Sequence, residues 1–202
     1  MEKKIDIFIG GQANPTISSA YYEVALELGA KIQKREDYNM IFDGCQGLPY
    51  IVYKSLNNPL RVSIWKTVHY RSNVIQETGA TVRIFQSQSE FIYNIPRLSD
   101  AMIFLKGGPS TVTEIMSIID SKKNQEHDKP IVILNINNEW QELIQLLNTF
   151  RLENIYYVAE NVTDALNYIE SELFKSTSSF FRLYSQYIDR TDPIIESARN
   201  KK

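Results

Sequence analysis

This chain has one cysteine, Cys45, two histidines, His69 and His127, and no excess of positive charge. A lone cysteine allows no disulfide within the chain, which fits a reducing compartment and makes a cytoplasmic location the expectation. Both histidines stand apart from any carboxylate cluster with ligand spacing, so no metal and no cofactor is expected. The 22 basic and 24 acidic residues are interspersed and sum to a formal charge of -2. Nucleic-acid binding calls for a basic stripe, and none is present. Lysines at the N-terminus precede Ile5-Asp-Ile-Phe-Ile, but Asp6 and Gly10 make that run too short for a signal peptide or a membrane span. The fingerprint Gly-x-Gly-x-x-Gly is missing at the first turn, and no Gly-Lys-Ser/Thr follows a four-residue gap. A dinucleotide site and a Walker-type nucleoside triphosphatase are therefore both disfavoured.

The 202 residues, 43% of them hydrophobic, suffice for one sizeable core. No Pro/Gly/Ser-rich stretch separates two domains, so residues 1–175 read as one nucleotide-binding domain of Rossmann-like type, with 176–202 a helical or polar extension. Strands are predicted at Ile5 to Ile9, Met40 to Phe42, Leu60 to Ile64, Thr81 to Phe85, Ala101 to Leu105, Pro130 to Leu134 and Ile155 to Val158. Helices are predicted at Thr16 to Lys31, Leu48 to Leu56, Ser87 to Leu98, Thr111 to Lys122, Glu139 to Asn148 and from Val162 onward, with Pro96 ending the third early. The segment from Thr67 to Thr78 is ambiguous. Strands apolar on both faces and alternating with helices predict an α/β, three-layer fold around a mostly parallel sheet.

Ala101 to Met116 is the most informative stretch. An apolar strand runs directly into Lys106-Gly-Gly-Pro-Ser-Thr and then into a helical pattern, and such strand-turn-helix junctions hold phosphates. Gly107 and Gly108 free the backbone, while Ser110, Thr111 and the first amides of the helix supply donors. Glu114 sits one turn in, within reach of whatever those donors hold. The same residues also read as an ordinary loop followed by a capping box, Thr111-Val-Thr-Glu114. Gly10, Gly11, Gly44 and Gly47 fall in two further turns predicted at the same edge of the sheet. Three convergent turns point to a monophosphate or similar small anion. Asp43, opening one of those turns, is a candidate contact to ribose or base or a structural turn residue. Cys45 lacks an adjacent base and reads as a small buried residue.

Lys106-Gly-Gly-Pro-Ser-Thr-Val-Thr-Glu114 resembles the Pro-Gly-Gly-x-Gly-Thr-x-x-Glu motif of the lysine decarboxylase-like, or LOG-like, family of cytokinin riboside 5'-monophosphate phosphoribohydrolases. Ile7-Phe-Ile-Gly-Gly11 is similar to the family's first strand and glycine loop, and Met40-Ile-Phe-Asp-Gly-Cys-Gln-Gly-Leu48 to its second. The resemblance spans about residues 5 to 150. The chain departs from it in carrying Lys106 for proline and Ser110 for glycine. Where the family has Met-x-x-Arg-Lys, this chain reads Gln88-Ser-Glu-Phe91-Ile92, so Phe91 occupies the position of the substrate-contacting arginine. Arg97, nearly two turns further on, is the candidate substitute cation, with Arg71, Arg83 or an arginine of a partner subunit as other possibilities.

The resemblance implies cleavage of the N-glycosidic bond of a nucleoside 5'-monophosphate to free base and ribose 5-phosphate. Glu114 would be the catalytic carboxylate, and Gly108 to Thr111 the phosphate clamp. Glu90 is a weaker candidate for a second carboxylate. Loss of the arginine supports an alternative, a non-catalytic nucleotide-binding sensor or interaction module. Family members commonly pair, and two-fold pairing is the commonest oligomeric state, so a homodimer is expected. The aromatic residues from Phe180 to Tyr187, with Tyr156 and Tyr157, read as interface or as a covering helix.

Overall fold

In a computed structural model, which describes residues 4–13, 19–69 and 79–175, short apolar runs form seven parallel strands. They are β1 (Ile5–Gly10), β2 (Tyr38–Phe42), β3 (Val62–Thr67), β4 (Thr81–Phe85), β5 (Ala101–Phe104), β6 (Ile131–Leu134) and β7 (Tyr157–Ala159). Their order across the sheet is β4-β3-β2-β1-β5-β6-β7, and every neighbouring pair is parallel. The chain thus builds leftward from β1, then returns to β1's other side with β5. In an open α/β sheet that reversal leaves a crevice at the carboxyl ends of the strands. The three-layer α/β reading of the sequence holds.

Among the described residues, six α-helices cover the sheet: α1 (Ser19–Lys34), α2 (Leu48–Lys54), α3 (Gln88–Leu98), α4 (Pro109–Lys123), α5 (Gln141–Thr149) and α6, described over 162–175. Side-chain alternation along β1 sends Ile7 and Ile9 to one face and Phe8 to the other. The first face packs under α1, α2 and α6 through residues such as Leu28, Val52 and Leu166. The second packs under α3, α4 and α5 through Phe91, Ile115 and Leu147. Met102, Ile103 and Phe104 of β5 are fully buried. Each such side chain contributes roughly 1.5–3 kcal/mol by leaving water.

Several boundaries differ from the sequence reading by a few residues, such as β3, expected at Leu60 to Ile64 and found at Val62–Thr67, and two of the differences involve prolines. Pro96 lies inside α3, which continues to Leu98, because the ring comes in the final turn and is itself buried. Proline has no N–H to donate to the carbonyl four residues back, so the helix gives up one hydrogen bond there, close to its end. Helix α4 begins at Pro109 rather than Thr111, since proline is well placed at the first helical position. Most of the ambiguous segment after Thr67, together with Arg71 and the extension 176–202, lies outside the described residues. No described helix is long and apolar enough to cross a membrane.

Candidate functional site

The three glycine-bearing turns meet at the carboxyl edge, tied to one another by backbone hydrogen bonds. Leu105 N donates to Gly10 O at 2.9 Å, Gln12 N to Lys106 O at 2.8 Å, and Leu48 N to Gln12 O at 2.9 Å. The Thr111 hydroxyl adds a bond to Gly11 O at 3.2 Å. Several glycines are there for packing. A β-carbon on Gly47 would lie 1.6 Å from Gln12 O, one on Gly10 2.5 Å from the Phe104 ring, and one on Gly107 2.1 Å from Thr111 Oγ1. At Gly44 the reason is conformational, with φ of 74°. Gly108 differs from these, because a β-carbon there would meet nothing within 4 Å. It borders open space at the start of α4.

Gly108 is also the N-cap of α4, and no side chain caps the helix. Thr111 lies within the first turn with its hydroxyl engaged across the site, so the capping-box reading of Thr111 and Glu114 does not apply. The amides of Ser110 and Thr111 have no intrahelical acceptor and carry the positive end of the helix dipole. One turn on, Glu114 is 7% exposed and makes no hydrogen bond among the described residues.

Glu114 faces a cavity that Ser110 and Thr113 line from the same helix. Asp43 and Cys45 line it from the turn after β2, and Trp65, Lys66 and Thr67 from the end of β3. Ala13 closes the side after β1, and Gln88, Phe91 and Ile92 come from α3. Asp43 is held in a tight turn, its Oδ1 accepting from Cys45 N at 3.0 Å. Burial pushes the Glu114 carboxyl up to about 8, with the charge of Asp43 adding to the effect. Burial also raises Asp43, against hydrogen bonds from Cys45 that favour its carboxylate. Glu114 is therefore protonated at neutral pH, the state a general acid needs.

Phe91, at the position aligned with the family's arginine, does line this cavity, and it is firmly packed. Its ring makes edge contacts with Phe8 at 6.0 Å, Trp65 at 6.2 Å and Phe85 at 5.8 Å between centroids. Arg97 does not fill the gap. It points to a separate groove between α3 and α4, where it stacks on Tyr93 at 3.3 Å and pairs with Glu126 at 3.5 Å. Arg83 sits 5.8 Å from the Trp65 ring in another groove, near the start of the strands. Lys106 turns away toward the loop after β6, donating to Glu139 O and lying over the Trp140 ring. Glu90 is an exposed residue at the start of α3, with its carboxylate on Gln86 N. Among the described residues, Lys66 is the single lysine or arginine that lines the cavity.

Lys66 and Thr113 were missed by the sequence reading. Lys66 had the same signal as Asp43, a polar residue at the carboxyl end of an apolar strand, but no glycine turn marks it. Cys45 is buried, as expected of a small residue there. His127 is held between Ile118 O and Lys129 N, and His69 is exposed. No group of three potential metal ligands occurs among the described residues.

An all-parallel sheet with its cavity across the switch of strand order defines a Rossmann-like protein. The sequence profile of the family described as "Possible lysine decarboxylase" matches residues 62–172, and the chain belongs to that family. Among its relatives is a cytokinin riboside 5'-monophosphate phosphoribohydrolase of Arabidopsis thaliana, 28% identical over 149 residues, covering 72% of this chain and 68% of the relative. A probable enzyme of the same name from Oryza sativa subsp. japonica is 26% identical over 176 residues, covering 81% and 75%. Two solved structures share the fold. The Moco carrier protein of Chlamydomonas reinhardtii matches with a TM-score of 0.64 at 17% identity, covering 86% of this chain and 99% of that one. The molybdenum cofactor binding protein of Rippkaea orientalis matches with a TM-score of 0.62, also at 17% identity and the same coverage.

Proposed function

We propose that this protein hydrolyses the N-glycosidic bond of a nucleoside 5'-monophosphate, releasing free base and ribose 5-phosphate. The observation that carries the reading is Glu114, a buried carboxyl without a hydrogen-bond partner among the described residues, facing a cavity at the N-terminus of a helix whose first amides have no intrahelical acceptor. The relatives named as phosphoribohydrolases support the reaction class. The phosphate is held by the amides of Ser110 and Thr111, with Lys66 as a cation lining the same cavity. As the bond from C1' to the base nitrogen breaks, positive charge develops on the ribose and negative charge on the base. The protonated Glu114 neutralises the latter by giving its proton to the departing nitrogen.

Incubation with a panel of nucleoside 5'-monophosphates, followed by chromatography of free base, tests this reading. Base release is expected from at least one member, and Glu114→Gln is expected to slow it at least about 100-fold, equivalent to roughly 2.7 kcal/mol in the transition state. No release from any member by the unaltered protein overturns the reading. One observation favours a second reading, that of a binding module. Phe91 cannot reproduce the bidentate, charge-assisted clamp of an arginine, and two proteins of the same fold are named as a cofactor carrier and a cofactor-binding protein. Calorimetry showing tight monophosphate binding without turnover would select it.

A further inference from the structure

Resting on the proposed hydrolase, we infer that Asp43 is a second catalytic carboxylate, which takes the proton of the attacking water while Glu114 protonates the departing base. Both groups line one cavity, yet they are held in different ways. The turn after β2 fixes Asp43 through the hydrogen bond from Cys45 N at 3.0 Å, which favours the charged carboxylate. Glu114 accepts no such bond among the described residues and is nine-tenths buried. Two carboxyl groups facing one small space do not both ionise readily, and the one with the hydrogen-bond donor loses its proton first. Burial, and after it that negative charge, keeps the proton on Glu114.

Among the described residues, the other titratable or charged groups around the pair are few. Cys45 follows Asp43 in the same turn, and Lys66 ends β3. From α3 come Gln88, Phe91 and Ile92, none of which titrates, and α4 adds only hydroxyls besides Glu114. The division of labour therefore falls to the two carboxyls. In the reaction the water oxygen bonds to C1' as the bond to nitrogen breaks. One water proton passes to Asp43, and the Glu114 proton passes to the base nitrogen. The products are neutral base and ribose 5-phosphate, and solvent returns the proton from Asp43 to Glu114. Asp43 occurs in a segment whose similarity to the family lies in its glycines, so its role is a property of this chain's own cavity.

The test is the pH profile of kcat/KM for base release, with ribose 5-phosphate binding measured by calorimetry alongside. The unaltered protein should give a bell, with an acid limb where Asp43 gains a proton and an alkaline limb near pH 8 where Glu114 loses one. Asp43→Asn keeps the turn's acceptor. It should lose at least about 100-fold in turnover, bind ribose 5-phosphate within about threefold of the unaltered protein, and shift the Glu114 titration, followed by carboxyl carbon NMR, to lower pH. Turnover by Asp43→Asn within about threefold of the unaltered protein overturns the inference and leaves the hydrolase standing. Absence of any base release by the unaltered protein overturns both. Should the variant not fold, the unaltered profile decides, because an alkaline limb without an acid limb excludes a second, deprotonated carboxylate.

Discussion

The turn after β2 and helix α4 bring two carboxyl groups to the cavity, while α3 and β3 bring two aromatic rings to it. The aromatic side is satisfied: Phe91 and Trp65 are each 2% exposed, lie within one ring cluster with Phe8 and Phe85, and the Trp65 indole N–H donates to Ser63 Oγ at 2.9 Å. On the carboxyl side only Asp43 is: Glu114 is 7% exposed, and no donor among the described residues meets it. Packing explains the first wall completely, and it gives no reason for the second. A buried carboxyl that weakens the fold and faces a cavity is what the proposed hydrolase requires of its general acid. The same contrast shows why the position aligned with the family's arginine has become part of the scaffold here.

The largest effect that bears on this contrast is expected at Phe91. Phe91→Ala removes a ring from a four-ring cluster and should lower unfolding stability by roughly 3–5 kcal/mol in urea titrations. A loss below about 1 kcal/mol would mean that the aromatic wall is not scaffold, and the comparison would break.

Glu114→Gln should act in the opposite sense on stability, and with pH. A carboxyl raised from an ordinary 4.5 to about 8 binds its proton more tightly in the folded chain than in the unfolded one. Folding stability therefore falls as pH rises from about 4.5 toward 8, and the glutamine variant lacks that fall. The stability difference, variant minus unaltered protein, should grow on the order of 3 kcal/mol between pH 5 and pH 8 in thermal or urea unfolding. A difference independent of pH would remove the argument that this wall costs stability.

Arg97→Ala should have the smallest effect. Its pair with Glu126 is partly exposed and lies in another groove, so stability should change by less than about 1 kcal/mol. Base release and ribose 5-phosphate binding should stay within about twofold. A larger loss of turnover would sharpen the comparison differently, by showing that the α3–α4 groove communicates with the cavity.

Strand and helix positions were legible because a parallel sheet buried on both faces needs near-continuous apolar runs, and Ala101-Met-Ile-Phe and Ile131-Val-Ile-Leu supply them. The start of α4 was displaced because Pro109 read as a loop residue, although proline suits the first helical position. Glu114 and Ser110 were legible from the strand-turn-helix junction. Lys66 and Thr67 were not, since their relevance comes from β3 lying beside β2, and spatial neighbours across a sheet leave no spacing in the chain. Arg97 was drawn in for its closeness in sequence to Phe91. On a helix, six residues put the two side chains on different faces, and Arg97 went to the outer one.

By itself the sequence determined the alternation of strand and helix, the glycine turns that the backbone can make only without a β-carbon, and the presence of a carboxyl one turn into a helix after such a turn. These are local matters, set by apolar periodicity and by the steric limits of each residue. Only the tertiary structure decided that Asp43 and Glu114 share a cavity, that Phe91 is locked among rings and that Lys66 is the cation at hand. Those depend on strand order and on which helix covers which face, and long-range packing settles both.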